Sequence, residues 1–318
     1  MRVCFATLNC AKGVVSESSN HFAGTYAGIA SSPATREAVE GSDCLLTVGY
    51  RCVESTTGFF TDNLPSSAIH LNGSYVDIAD RSFQGLYIAE FLQSILDASS
   101  SVVVNKTPAR QSRPLSVAPS DDPLTQTAYW KAIQNFLRPG DVIVVEDGTS
   151  SAGFGRLTLP DDCLCISGAF VWCSIGYATG ALLGAILASP GRRHILLTGE
   201  GSLQLTVQEI STMLRHDLKP WIFVNHNQGY TVERAVLGKD AKYNDIADWR
   251  YSELPNVFSR DKKADTYVVT TSNELQKALD SLHLSMVFLE CVMGTLGGYP
   301  TDQRGARNIP GGRPDGPR

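Results

Sequence analysis

The sequence lacks the cysteine spacing of a zinc finger or a redox motif. It has eight cysteines, and no two of them are separated by two residues. This scatter indicates reduced, mostly buried thiols, so we predict a cytoplasmic protein. Charged residues are also few, at 19%, and the formal net charge is −5. That balance gives no reason to expect nucleic acid or an anionic membrane as a partner.

Residues 166–189 carry no charge and are long enough to cross a bilayer. Within them Gly176, Gly180 and Gly184 recur every four residues, which predicts a thin helix face that another backbone can approach closely. No second run of this kind and no flanking basic cluster supports a membrane span. We therefore expect a helix buried in an α/β core, and we expect the first residues to form a strand rather than a secretory leader.

The chain of 318 residues is long enough for two domains. Strand-like and helix-like segments alternate over residues 1–98 and again, more strongly, over 123–298. Residues 99–122, rich in Ser and Pro, predict a linker, and the Pro/Gly-rich residues 299–318 predict a disordered tail. Strands separated by helices predict two Rossmann-like, doubly wound α/β domains with parallel sheets.

Two polar segments follow neighbouring predicted strands in the second half of the chain. GEG at 199–201 follows HILLT, and NHNQG at 225–229 ends the strand that begins WIFV. Because ligands bind beyond the carboxyl ends of parallel strands, Glu200 and Asn227 could share one crevice, where their oxygens suit Mg²⁺. Thr206 and Glu209 fit a capping box at the start of a helix that lies between the two polar segments. The short glycine motif alone is more typical of a plain strand–turn–helix with a solvated acid.

Longer strings around these segments indicate a family. An acid between glycines, then Ser202, and 24 residues (202–225) before an Asn-containing turn resemble the thiamine-diphosphate motif. SLQLTVQEIST, GYTVE and YNDIADW are similar to the pyruvate and indolepyruvate decarboxylase family in particular. AKGVV, GTYAG and REAVEGSDCLLTVG resemble that family's middle domain. The likeness extends to about residue 293.

This resemblance implies cofactors and site residues. Glu200, Asn227 and the Gly229 carbonyl would hold Mg²⁺ against thiamine diphosphate, and Glu233 would be the catalytic acid beside the substrate carboxylate. The implied cofactor contacts are Thr149, Ser174, Ile175, Gly201, Ser202, Asn227, Gly229 and Tyr230.

Three of these contacts have ordinary structural alternatives. Ile175 matches the family's wedge beneath thiamine, yet an isoleucine on an apolar helix is usually core. Thr149 could cap a turn, and Ser202 could begin a helix.

The implied reaction is decarboxylation of a 2-oxo acid such as pyruvate, phenylpyruvate or indolepyruvate to an aldehyde and CO₂. Three positions depart from the family pattern: Glu200 stands for Asp, His226 for Asn, and Cys173 for Gly. The family's pyrimidine-binding domain, with its activating glutamate and adjacent histidines, has no counterpart in the sequence. We therefore predict little activity from the chain alone.

The family's pyrimidine-binding domain also bears on the expected partners and on two alternative functions. The family implies a homo-oligomer, or a hetero-oligomer with a chain that carries the pyrimidine domain. A non-catalytic relative that modulates family subunits is one alternative function. An acetolactate-synthase-like carboligase is another, although the GYTVE and SLQLTVQEIST strings argue against it.

Overall fold

The computed structural model describes residues 3–98, 118–168, 171–238 and 240–295. The chain divides into two compact units: unit 1 contains residues 1–11 and 17–113, and unit 2 contains 12–16 and 114–318. Residues 12–16 join unit 2 in part because Lys12 is buried there and its Nζ donates to the Leu157 carbonyl at 2.8 Å. Most of the predicted linker and all of the predicted tail lie outside the described residues.

Unit 1 has mixed α/β structure. Its strands are β1 (Phe5–Thr7), β2 (Phe22–Thr25), β3 (Leu46–Val48), β4 (Ile69–Leu71), β5 (Tyr75–Ile78) and β6 (Arg81–Gln84), and its helices are α1 (Pro33–Glu40), α2 (Glu54–Thr57) and α3 (Ile88–Ala98). In the described residues β1 and β2 form one parallel pair, and β3-β4-β5-β6 form a separate sheet. The β3–β4 pair is parallel, whereas β4–β5 and β5–β6 are antiparallel.

Unit 2 is a doubly wound parallel domain. Its helices are α4 (Gln126–Phe136), α5 (Thr149–Phe154), α6 (Tyr177–Ala188), α7 (Glu200–Thr206), α8 (Glu209–Arg215), α9 (Thr231–Leu237), α10 (Leu254–Phe258) and α11 (Ser272–Asp280). Its strands are β7 (Val142–Val145), β8 (Leu164–Ser167), β9 (His194–Gly199), β10 (Trp221–His226), β11 (Asp265–Val269) and β12 (Val287–Val292). The strands form one six-stranded sheet in the order β11-β12-β10-β9-β7-β8, and every pairing is parallel.

The core of unit 2 lies on both faces of this sheet. Tyr129 of α4 and Phe154 of α5 pack on one face with no exposed surface, and Leu182 of α6 and Met213 of α8 do so on the other. The central strands, covered on both faces, are consequently mostly apolar, which is the pattern that predicted a parallel sheet. The α/β prediction is confirmed.

Helix α1 has a capped start, where Ser32 accepts a hydrogen bond from the Thr35 amide, and it ends at Gly41. The capping box predicted at Thr206 is wrong. The helix there is divided into α7 and α8, and the Thr206 hydroxyl donates to the Gly176 carbonyl at 2.7 Å instead.

Helix α6 covers only 12 residues of the uncharged run. In the described part of the chain, no helix combines the length and apolarity needed to cross a bilayer. The predicted close approach to its glycine face occurs only at Gly176, where an added Cβ would lie 2.9 Å from the Leu205 Cβ. Around Gly180 and Gly184 no described atom lies within 4 Å of such a Cβ.

This difference along α6 predicts opposite effects of alanine. Gly180→Ala and Gly184→Ala should each raise the free energy of unfolding by about 0.5–1 kcal/mol, because alanine restricts the unfolded chain and meets no neighbour. Gly176→Ala should lower it, because φ is +87° there and Leu205 is close. Urea unfolding of the three variants measures this. Destabilisation by Gly184→Ala would show that another segment covers the face.

Candidate functional site

The two polar segments meet at the carboxyl ends of β9 and β10. Asn225 pairs in register with Gly199, so Glu200 at the start of α7 lies beside the turn that follows β10. Glu200 is 2% exposed, and its Oε1 accepts hydrogen bonds from the backbone N–H of Asn227 at 3.0 Å and of Gly229 at 2.8 Å. Burial raises the pKa of the Glu200 carboxyl, and the amide donors oppose that rise.

The side chain of Asn227 completes a set of three polar groups. The end of its amide that points into the site lies 3.3 Å from Glu200 Oε1 and 3.0 Å from the Gly229 carbonyl oxygen. Neighbouring ligands of an octahedral Mg²⁺ with bonds of about 2.1 Å are separated by about 3.0 Å. The spacing and the available oxygens of a carboxylate, an amide and a carbonyl therefore fit such an ion. The described residues contain no group of three His, Cys, Asp or Glu side chains that could hold a metal ion.

Two glycines of the site have close neighbours where a side chain would lie. Gly229 has φ of +120°, and a Cβ there would lie 2.1 Å from the Asn244 carbonyl oxygen. A Cβ on Gly201 would lie 2.5 Å from the Tyr230 ring. Gly201, Gly229 and Tyr230 are thus brought together with Glu200 by close packing.

The other predicted contacts lie on elements around the same sheet. Thr149 is buried at the start of α5, just beyond β7, and Ser202 is buried in the first turn of α7. Ser174 is exposed and Ile175 is half-buried in the turn before α6. Glu233 is exposed on α9. Their roles toward a cofactor stay predictions.

The sequence reasoning missed Glu146, which follows β7 and has no exposed surface. Its Oε2 accepts from the N–H of Gly176 at 3.1 Å and of Ala178 at 3.4 Å, and its Oε1 accepts from the Asp147 N–H at 3.2 Å. The carboxyl thus caps the start of α6, directly after Ser174 and Ile175. Burial raises its pKa, although the amide donors oppose the shift. The sequence signal that could have identified Glu146 is an acidic residue directly after the apolar run VIVV.

His226, one of the departures from the family pattern, joins a second network. Its Nδ1 lies 2.9 Å from Glu290 Oε1, and its Nε2 lies 3.1 Å from Asp248 Oδ1. Its ring packs edge-on against Tyr251, with centroids 5.2 Å apart. The hydrogen bond with Glu290 raises the pKa of His226, against the opposing effect of burial, and the charge of Glu200 adds to the rise.

This network predicts a pH-dependent contribution to stability. The pKa of His226 in the folded chain lies above its ordinary value near 6.5. The stability that protonated His226 contributes is therefore fully present below pH 6.5 and is lost as the pH rises through the folded pKa. His226→Gln should therefore destabilise the chain more at pH 6 than at pH 9. Urea titrations at both pH values measure the difference, with the exposed His216→Gln as control. An equal loss at both values would contradict the prediction.

Comparison with known proteins gives two family matches. Residues 1–98 match the central domain of thiamine pyrophosphate enzymes, and residues 151–291 match the C-terminal TPP binding domain of thiamine pyrophosphate enzymes. Together the two matches cover most of both units.

Individual relatives agree with these matches. Pyruvate decarboxylase isozyme 2 of Saccharomyces cerevisiae is 37% identical over 274 residues, which are 84% of this chain and 48% of the relative. An alpha-keto-acid decarboxylase of Mycolicibacterium paratuberculosis is 38% identical over 298 residues, 92% of this chain and 53% of the relative. The chain therefore spans about half the length of the curated relatives it matches.

Proposed function

Because the chain belongs to the thiamine pyrophosphate enzyme family, we propose that it supplies the diphosphate-binding half of a 2-oxo acid decarboxylase. The observation that supports this best is the meeting of Glu200, Asn227 and Gly229 at the carboxyl ends of two adjacent strands. The proposed substrate is a 2-oxo acid such as pyruvate, phenylpyruvate or indolepyruvate, and the products are an aldehyde and CO₂. Of the eight cysteines only Cys163 and Cys291 are buried, so the expectation of mostly buried thiols is wrong, and a cytoplasmic location stays a proposal.

The cofactors implied by the family are thiamine diphosphate and Mg²⁺. Glu200, Asn227 and the Gly229 carbonyl would hold the ion, and the backbone at Gly201 and the Ser202 hydroxyl would contact phosphate oxygens. Thr149, Ser174, Ile175 and Tyr230 would surround the rest of the cofactor. When bound, thiamine diphosphate supplies an electron sink for the electron pair released with CO₂.

The chain's own residues then handle protons and solvent. Glu233 would hold or deliver a proton beside the substrate carboxylate, and half-buried Ile175 would present an apolar surface to the cofactor. Because Glu233 is exposed in the described residues, exclusion of water there requires a further segment. We propose that a pyrimidine-binding domain provides this segment.

A calorimetric titration of the purified chain with thiamine diphosphate, with and without Mg²⁺, tests the proposal. We expect Mg²⁺-dependent binding, little aldehyde from pyruvate by the chain alone, and more aldehyde after addition of a family pyrimidine domain. Strong aldehyde release by the chain alone would contradict the need for a partner. No cofactor binding at millimolar concentration, even with the added domain, would favour the non-catalytic relative.

A further inference from the structure

The turn after β10 is a concave arrangement of backbone N–H groups that binds an anion. Gln228 and Gly229 have φ of +66° and +120°, which curves the backbone. As a result the N–H groups of Asn227 and Gly229 both point at one oxygen atom. In this chain that oxygen belongs to Glu200, so an internal carboxylate already occupies the concave side of the turn.

The length of the Glu200 side chain makes these contacts possible. Aspartate is shorter by one carbon–carbon bond, about 1.5 Å. From the same backbone position its carboxylate would leave both N–H groups, now at 2.8 and 3.0 Å, beyond hydrogen-bonding distance. The extra methylene of this chain therefore connects the start of α7 directly to the turn.

The side-chain amide of Asn227 has two possible orientations, and its neighbours decide which one forms hydrogen bonds. Its inward end faces two acceptors, Glu200 Oε1 and the Gly229 carbonyl oxygen, and also lies 3.1 Å from the Thr231 hydroxyl oxygen. That hydroxyl donates its hydrogen to the Thr295 carbonyl, so it too offers the amide only an acceptor. Without a cation the inward atom must be the nitrogen, which donates to these acceptors. With a cation between the three groups the inward atom must be the oxygen, because only oxygen is a ligand.

We propose that Glu200 closes the Asn227–Gly229 turn without a metal ion, and that the Asn227 amide turns over when a divalent cation binds. The second half of this inference rests on the proposed Mg²⁺ site, and the first half does not. Cation binding then competes with two hydrogen bonds donated by Asn227. The turn is already formed before the cofactor arrives.

Two substitutions of Glu200 separate closure of the turn from cation binding. In EDTA, Glu200→Asp should lower the midpoint of thermal unfolding of the full chain by about 4–8 °C, because two buried donors lose their acceptor. Glu200→Gln keeps an acceptor oxygen, so its midpoint in EDTA should fall less, but it should lose Mn²⁺ binding measured by electron paramagnetic resonance. Glu209→Gln, in the first turn of α8, is the control and should change neither.

Wild-type measurements keep the inference testable if a variant does not fold. In EDTA, the backbone amides of Asn227 and Gly229 should exchange hydrogen at least about 100-fold more slowly than in an unfolded chain. The Asn227 side-chain NH₂ signals, identified by their absence in Asn227→Asp, should shift when Mg²⁺ is added.

Each half can be overturned separately. Unprotected amides at Asn227 and Gly229 in EDTA, or a Glu200→Asp midpoint equal to wild type, would overturn metal-free closure. Mn²⁺ binding with an Asn227 signal that Mg²⁺ does not move would overturn the amide rotation while leaving the proposed metal site standing. No Mn²⁺ binding by the wild type at millimolar concentration would overturn the rotation together with that site.

Discussion

Replacing Gly229 with alanine is expected to lower the free energy of unfolding of unit 2 by about 2–5 kcal/mol and to abolish Mg²⁺-dependent cofactor binding. Two costs combine in that range, namely left-handed backbone strain and overpacking. The strain arises because φ is +120°, and the overpacking arises because the new Cβ would lie 2.1 Å from the Asn244 carbonyl oxygen. Urea unfolding followed by tryptophan fluorescence measures the stability, and calorimetry measures the binding.

Gly238→Ala is a matched control for this prediction. Gly238 has φ of +121°, almost the same as Gly229, but no described atom lies within 4 Å of an added Cβ. It should therefore show the strain alone, about 1–3 kcal/mol, and should keep cofactor binding. Equal losses for the two variants would show that the turn tolerates the extra methyl group by moving away from Asn244.

The second large effect is expected at Glu146. Glu146→Ala removes the acceptor of three backbone N–H groups, so it should cost about 3–5 kcal/mol, and Glu146→Gln should cost less because one amide oxygen remains. Urea unfolding of both variants checks this order. Glu253→Ala is the control, since the Glu253 side chain forms an exposed ion pair with Arg250 and its loss should change stability by less than about 0.5 kcal/mol.

The pH dependence of the Glu146 variants has a defined sign. Because burial raises its folded pKa, the wild-type carboxyl contributes most below the ordinary value near 4.5, and this contribution declines as pH rises through the folded value. The difference between wild type and Glu146→Gln should therefore be larger at pH 4 than at pH 7. A difference that grows with pH would mean that the three amide donors outweigh burial.

The six strands of unit 2 were accessible from the sequence because each includes a short, mostly apolar run between helical segments. Segments such as HILLTG and VFLECV lie between helices of moderate length, and their short apolar runs predict strands. The adjacency of Glu200 and Asn227 followed from the same reasoning, since parallel strands place their carboxyl ends on one edge. Short-range patterns repeated along the chain were sufficient for both results.

Contacts between distant segments were not accessible in this way. Glu146 is buried because the start of α6, about 30 residues later, covers it with N–H donors. The hydroxyl of Thr206, the last residue of α7, donates a hydrogen bond to the Gly176 carbonyl, and no local sequence pattern predicts that contact. In unit 1, β6 is exposed along its whole length. Its sequence therefore lacks the alternation of buried apolar and exposed polar residues that would predict a strand.

The division of the unit 1 strands between two sheets affects how the molecule responds to heat. In the described residues four of its six strands (β1, β2, β3 and β6) lie at a sheet edge, whereas in unit 2 only β8 and β11 do. Edge strands open at lower free energy, so unit 1 should melt first, and its exposed backbone invites self-association. All four tryptophans (130, 172, 221 and 249) belong to unit 2. A fluorescence melting curve would therefore record the later transition and remain silent during the earlier one.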